Sequence, residues 1–482
     1  MIASALGQRS RPTASPRSAR LASISVILGI LILVIVLLLP ACTRQPGSFR
    51  LNPDRVAQLD EILSRMAADE TFSGSVLIAQ EGEVLLSRGY GSADREQGIS
   101  NTPQTKFFIG SVTKQFTAMA ILILQSQGRL DVQDPICRYI EDCPAAWEDI
   151  TIYHLLTHTS GMVVMPDDNS YPESPITPRE LLDRFIDSPL DFQPGERISY
   201  SNCGYWVLGP IIEQVSGQSY EAFVQQWILE PLDMHDSGYD QDASGLAVGY
   251  VDQNTAAPAQ VIESSFLYSA GALYSTVGDL YRWDQALYTE QLIPRELLDQ
   301  MFIPRISLYP DAVGSVAYGY GWIVLDHLGR HLVSHGGALD GFRSWIFRYP
   351  DDHITIIILS NQEDSQDTLL FAWRFLNYET IAIETEDGAT ITYAGPLEVQ
   401  AGGRLSASFM VTDSSGQPAQ GVLLGTLGES TTDSAADRTS ARLTTDGIIE
   451  LVWPVDLPVG TTWLYCIFKG VEYKITRITI SP

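Results

Sequence analysis

Ile109-Gly110-Ser111-Val112-Thr113-Lys114-Gln115-Phe116 opens an apolar-periodic run that continues to Gln127 and closes at Gly128. The spacing of Phe116, Met119, Ala120 and Ile123 predicts a helix over residues 112–127 with one face on a core. Ser111 and Lys114, three residues apart, then stand on neighbouring parts of one helix face. The chain has only four lysines (Lys106, Lys114, Lys469, Lys474), and Lys114 alone has a serine three positions before it. A serine hydroxyl is a poor nucleophile until a base takes its proton; a lysine whose pKa is lowered by burial can be that base, whereas arginine cannot. A helix N-terminus also points free N–H groups at a developing oxyanion. The plain alternative is a capping serine with a solvated lysine.

Outward from this segment, Gly74–Ala79 and Val84–Tyr90 read as strands joined at Glu81-Gly82, a hairpin signature. A matching hairpin comes late, Phe342–Tyr349 and Ile354–Leu359 around Pro350-Asp351-Asp352. Helical patterns fill the interval at residues 152–156, 178–186, 205–215, 220–228 and 277–287, and one precedes it from Pro53 to Ala67. Strands at both ends with helices between predict an α+β fold: one antiparallel sheet built from distant parts of the chain, flanked by helices, with a mostly helical subdomain. After about residue 385 seven short alternating segments, separated by Gly, Ser, Asp and Thr clusters, predict an additional C-terminal all-β sandwich-like domain. The expected division is 1–20, 21–41, 42–52, 53–380 and 388–482.

The whole chain is 482 residues and 45% hydrophobic, ample for one large core and a smaller one. Its net charge is −28, and residues 1–50 carry six arginines and no acid, so −34 falls on the remainder. Such a body repels phosphate backbones, which excludes nucleic acid as a partner. The first segment is different: four arginines precede Leu21–Leu39, an uncharged run long enough to cross a hydrocarbon core of roughly 30 Å. The charge bias keeps residues 1–20 cytoplasmic and places everything beyond on the extracytoplasmic side, tethered to the membrane. An oxidising exterior would favour a disulfide between Cys137 and Cys143, which share one Pro-flanked loop; Cys203 and Cys466 read as small buried residues.

Two further segments carry chemistry. Tyr200-Ser201-Asn202 is the only Tyr-x-Asn among 21 tyrosines; its phenol can shuttle a proton where neighbouring cations lower its pKa, or be a satisfied buried tyrosine. His331–Ala338 runs as a strand into Gly336-Gly337, whose missing side chains would let a substrate lie along the backbone, or which form a plain turn.

In order, Ser111-x-x-Lys114, Tyr200-x-Asn202 and His335-Gly336-Gly337 resemble the three motifs of the serine beta-lactamase and penicillin-binding-protein superfamily, in the branch of class C beta-lactamases, family VIII esterases and D-alanyl-D-alanine carboxypeptidases. Ile152–Met162, with its His-Leu-Leu-Thr-His-Thr-Ser-Gly, Tyr318–Trp322 and Gly341-Phe342 resemble it too, so the likeness covers roughly residues 54–378. It implies an acyl-enzyme on Ser111, with Lys114 and Tyr200 relaying the proton, the N–H groups of Ser111 and Ala338 as oxyanion hole, and Asn202 binding the substrate amide or orienting Lys114. His335, Gly336, Gly337 and Ala338 would form the substrate-binding strand. No cofactor is implied. Leu39-Pro40-Ala41-Cys42 similarly resembles a bacterial lipobox, which leaves a lipoprotein with Cys42 lipidated and an uncleaved transmembrane anchor as the two readings.

The third motif of the beta-lactamases is Lys-Thr-Gly. Here a weakly basic imidazole replaces a permanent cation, so recognition of a substrate carboxylate should be weaker, and the expected substrates are esters or small D-amino-acid peptides and amides. The alternatives are a beta-lactamase or DD-carboxypeptidase proper, or a catalytically silent peptidoglycan-binding relative. His154 and His158 have the i,i+4 spacing of zinc ligands, but Leu155 stands where a zinc peptidase has Glu, and a packed or capping pair is the reading taken; His327, His331 and His335 offer a weaker metal pattern. No metal site is assigned. The β-domain presents no catalytic constellation, and contact with the cell wall is the role suggested for it.

Overall fold

The computed structural model describes residues 49–481 with interruptions, the longer ones at 252–256, 309–315, 366–371, 414–418, 429–436, 443–447 and 455–459. Segments 1–20 and 21–41 and Cys42 lie outside the described residues. Among those described, no helix is long and apolar enough to cross a membrane.

Helix α1 (Pro53–Ala68) starts where the sequence supplies a cap and a proline. The Asn52 side chain accepts from the Asp54 N–H, and Pro53 occupies the first turn, where no N–H is needed. Its buried stripe is Val56, Leu59, Ile62, Leu63 and Met66, the set its periodicity predicts. That stripe packs with Phe347, Ile356 and Ile358 on one face of an eight-stranded sheet.

The sheet comprises β1 (Gly74–Gln80), β2 (Glu83–Tyr90), β3 (Ile306–Ser307), β4 (Val316–Tyr318), β5 (Ile323–His327), β6 (Arg330–Leu339), β7 (Phe342–Tyr349) and β8 (Ile354–Ser360), in the order β2-β1-β8-β7-β6-β5-β4-β3. β1 pairs antiparallel with β8, Gly74 opposite Ser360 and Gln80 opposite Ile354, so the first hairpin closes on the last. β8 is buried along its whole length because helices cover its second face, which is why it is largely apolar, with Thr355 the polar exception within Ile354–Leu359.

Helices α2 (Thr113–Ser126), α3 (Ile152–Leu156), α4 (Pro178–Asp183), α5 (Asn202–Ser216), α6 (Tyr220–Val224), α7 (Ser264–Gly271) and α8 (Val277–Ala286) form that second layer and the helical region beside it. α2 is not the amphipathic helix its pattern suggests: every residue from Thr113 to Leu124 is buried. Most of its polar atoms find internal partners, though Gln115 Nε2 has none among the described residues. Thr113 Oγ1 accepts from the Leu273 N–H, Gln115 Oε1 from the Trp283 indole, and Thr117 Oγ1 donates to the Ser269 carbonyl. A helix packed on all sides gives a rigid mount for whatever it carries.

Between α8 and the sheet lies a buried ion pair, Arg348 Nε to Asp284 Oδ1 at 2.8 Å, with Thr355 also donating to Asp284. Asp284→Ala would leave the guanidinium buried without its anion. The expected loss is about 3–5 kcal/mol in urea unfolding; a loss under about 1 kcal/mol would show that water reaches the site.

The Cys137–Cys143 disulfide is present, and Cys203 and Cys466 are buried and unpaired. In the C-terminal region β9 (Thr380–Glu384), β10 (Thr390–Ala394), β11 (Glu398–Gln400), β12 (Arg404–Thr412), β13 (Val422–Gly428), β14 (Asp437–Arg442), β15 (Ile448–Pro454), β16 (Gly460–Phe468) and β17 (Val471–Ser481) make a four-stranded sheet, β9-β10-β12-β15, and a five-stranded one, β11-β17-β16-β13-β14. Thr380–Glu384 already pairs with Thr390–Ala394, so a boundary at residue 388 cuts through a hairpin. The first two strands escape sequence reading because their pairing partners identify them better than their short patterns do.

Candidate active site

Ser111 sits in a single 3-10 turn, Gly110–Val112, immediately before α2. Gly110 has φ +51°, and a Cβ there would come 3.0 Å from the Ala338 nitrogen. The turn is fixed to the sheet on its other side, where Ser344 Oγ donates to the Ile109 carbonyl at 2.7 Å. Ser111 and the amide of Ala338 on β6 are thereby held as neighbours.

Lys114 follows on the next turn and is fully buried. Its Nζ donates to Ser111 Oγ at 3.1 Å, Asn202 Oδ1 at 2.8 Å and the Ala270 carbonyl at 2.9 Å. All three acceptors are neutral oxygens. Burial therefore acts almost unopposed and holds the amine well below its ordinary pKa. The solvated-lysine alternative is removed.

Tyr200 and Asn202 arrive through the N-terminus of α5. Ser201 caps it, accepting from Gly204 N–H at 3.1 Å while donating to the Val163 carbonyl, and Asn202 N–H donates to the Val164 carbonyl. The Tyr200 ring lies 4.9 Å from Lys114 Nζ. Its phenol is buried, without a hydrogen-bond partner of good geometry among the described residues. Burial pushes its pKa up, and only the Ser111 side chain works the other way. The sequence offers a proton shuttle if neighbouring cations lower its pKa; burial raises it instead, and the neutral phenol is the resting form.

The third motif departs furthest from expectation. β6 runs straight through Gly336-Gly337, and β5 pairs with it only from Arg330 to Ser334, so its edge from His335 onward is not covered by β5. Packing by itself already requires glycine at both positions. A Cβ on Gly336 would lie 2.3 Å from the Trp345 ring, and one on Gly337 would lie 2.0 Å from the Ile109 carbonyl. Close packing of the strand on the Ser111 turn occupies that space.

His335 is likewise turned inward and fully buried. Nδ1 lies 2.7 Å from the Gly336 carbonyl, which can only accept, so the proton is on Nδ1, and Nε2 accepts from the Tyr318 hydroxyl at 2.9 Å. Burial first, then the Lys114 charge, pushes its pKa down to about 3. The imidazole expected to meet substrate is a neutral internal group, because its own strand and Tyr318 use both nitrogens.

That burial has a measurable consequence. Between pH 6.5 and about 3 the unfolded chain binds a proton at His335 that the folded chain does not, so stability falls as pH falls through that window. The pH slope of unfolding free energy there should be steeper than in His335→Gln by roughly 1.4 kcal/mol per pH unit. Equal slopes in the two proteins would show that the ring is protonated in the fold.

Two contributors escape sequence reading. The Ala270 carbonyl is presented by a kink in α7, where Tyr268 has φ 41°. Gly321 at φ +76° lets the Tyr318–Trp322 segment approach the Lys114 backbone, a Cβ there coming 2.8 Å from the Lys114 carbonyl. His158, read from the sequence as one of a packed or capping pair, packs on Tyr200, ring centroids 4.2 Å apart. His154, by contrast, closes a capping box with Thr151 at the start of α3.

Comparison with known proteins places this geometry among relatives. The Beta-lactamase family model matches residues 59–377. Penicillin-binding protein 4* of Bacillus subtilis (strain 168) is 30% identical over 335 residues, covering 64% of this chain and 72% of that protein. The solved penicillin binding protein from Bacillus halodurans superposes with a TM-score of 0.58 at 26% identity, covering 65% of this chain and 98% of that one. D-amino acid amidase from Ochrobactrum anthropi SV3 gives a TM-score of 0.58 at 22% identity over 67% and 97% of the two chains, a likeness of fold.

Proposed function

The chain belongs to the beta-lactamase family of serine hydrolases, and on that premise we propose that it is an extracytoplasmic acyl-enzyme hydrolase of esters or small D-amino-acid amides and peptides, with Ser111 as nucleophile. The observation that carries this reading is the buried Lys114 amine, 3.1 Å from Ser111 Oγ and surrounded by neutral oxygens.

In this scheme neutral Lys114 takes the Ser111 proton as Oγ bonds to the substrate carbonyl carbon. The N–H groups of Ser111 and Ala338 receive the oxyanion. The proton passes through Lys114 and Tyr200 to the leaving group as its bond breaks, and the same pair later deprotonates the water that releases the acyl group. Asn202 orients Lys114.

The substrate class follows from charge. With His335 neutral and buried, the first position of the third motif offers no cation to a beta-lactam carboxylate, which favours acyl donors without one. The fold shared with D-amino acid amidase is consistent with amide substrates. Anchorage of the body through residues 21–41 or a lipidated Cys42, and contact of residues 388–482 with wall polymer, belong to the same proposal. Cell fractionation with and without each segment tests them.

Intact-mass spectrometry after incubation with a p-nitrophenyl ester, nitrocefin and a D-Ala-D-Ala peptide tests the chemistry. A mass increase from the short ester, located on Ser111, is expected. Adducts from nitrocefin alone would reverse the substrate assignment, and no adduct from any of the three would end the hydrolase reading.

A further inference from the structure

We propose that His158 is a positioning residue that locks Tyr200 and Asn202 against Ser111 and Lys114. The inference rests on the reading of Ser111 as nucleophile.

His158 has a left-handed backbone, φ +57°, unusual for a bulky side chain and tolerated best by Asn, Asp and His. That conformation turns both its carbonyl and its ring toward the same neighbour. The carbonyl accepts from Ser199 N–H at 2.9 Å, and Nδ1 accepts from Ser201 N–H at 3.1 Å. The two amides that straddle Tyr200 therefore both end on His158. Its ring lies 4.2 Å from the Tyr200 ring, with Tyr318 at 4.7 Å and Tyr205 at 5.0 Å completing the enclosure.

The imidazole is fully enclosed, and burial together with Lys114 and His335 holds it neutral. Since Nδ1 accepts, the proton stands on Nε2, which has no partner among the described residues. A buried donor left unsatisfied costs stability, and the site retains it beside the proposed proton path. Tyr200 Oη likewise makes no hydrogen bond of good geometry among the described residues, the Ser111 side chain being its polar neighbour. The two flanking amides held by His158 thus set the backbone that carries the phenol, and Asn202, next after Ser201, inherits the same constraint.

The test uses three variants of the full chain. In His158→Asn, Oδ1 stands about where Nδ1 does and the left-handed backbone is tolerated. His158→Gln moves the acceptor outward. His158→Phe keeps the ring and loses the acceptor. Acylation of Ser111 by a fluorophosphonate, and kcat and KM for a p-nitrophenyl ester, are measured alongside Tm. His158→Phe and His158→Gln are expected to lose roughly 10- to 100-fold in acylation rate and kcat with KM within about twofold, while His158→Asn stays within about fivefold of the parent. Should His158→Phe fail to fold, the Asn and Gln variants decide: a tenfold or greater advantage for Asn supports the proposal, and equal rates overturn it. Folded His158→Phe acylating at the parental rate overturns it as well, as do losses that merely track Tm. A parent protein left unlabelled at Ser111 would instead refute the nucleophile assignment itself.

Discussion

Ser111→Ala should abolish acylation by short esters and lower kcat/KM by about 10⁴-fold or more, some 5.5 kcal/mol of transition-state stabilisation. The size of the effect follows from the geometry. The hydroxyl contributes the atom that bonds to carbon, and the rest of the site is arranged around it: Lys114 at 3.1 Å, the Gly110 turn against Ala338, and the Ile109 carbonyl fixed by Ser344. Among the described residues, Ser111 is the one serine to which the buried Lys114 amine donates. The fold should survive the change, because Ser111 supplies one of the three oxygens held by Lys114, and Asn202 and Ala270 retain the ammonium or amine in place. Equal Tm within a few degrees, with no covalent adduct, is the expected pair of results. Residual turnover within tenfold of the parent would mean that the nucleophile lies elsewhere.

Lys114→Met should cost about 10³-fold in acylation, within the range of a general base removed from a positioned site. Methionine nearly conserves the volume of the buried side chain and so separates loss of the base from loss of packing. The pH profile gives the second readout. The reactive form is the neutral amine, and burial lowers its pKa below the ordinary 10.5. Activity is therefore present above the depressed pKa and falls as pH drops through it, with unit slope in log kcat/KM. In Lys114→Met that acid limb should disappear. An unchanged limb would transfer the titration to another group, and a rate close to the parent's would remove lysine from the mechanism.

Much of this was legible before any fold was known. The pairing of Ser111 with Lys114 follows from helical spacing alone, and so do the cap and proline that start α1 and the stripe it buries. Both hairpins were readable because glycine-, proline- and aspartate-rich turns separate apolar runs. Asn202 was offered two roles, and contact with Lys114 is one of them. His335 shows where such reading stops. An imidazole before Gly-Gly looks the same in sequence whether it faces a substrate or the interior, and only the partners of its two nitrogens, Tyr318 and its own strand, decide. The glycines behave alike: their need is set by the Trp345 ring and the Ile109 carbonyl, one of them more than two hundred residues away.

What the amino-acid order settled by itself is the set of groups available for chemistry and the local geometry of the pair three residues apart, because helix periodicity is a short-range property of the backbone. Tertiary packing decided how they titrate: burial lowers Lys114 and His335 and raises Tyr200. The reason is physical. A pKa is fixed by the loss of water and by the oxygens and charges that close around a group, and those come from α5, α7, β4 and β6, segments that meet only once the sheet has closed.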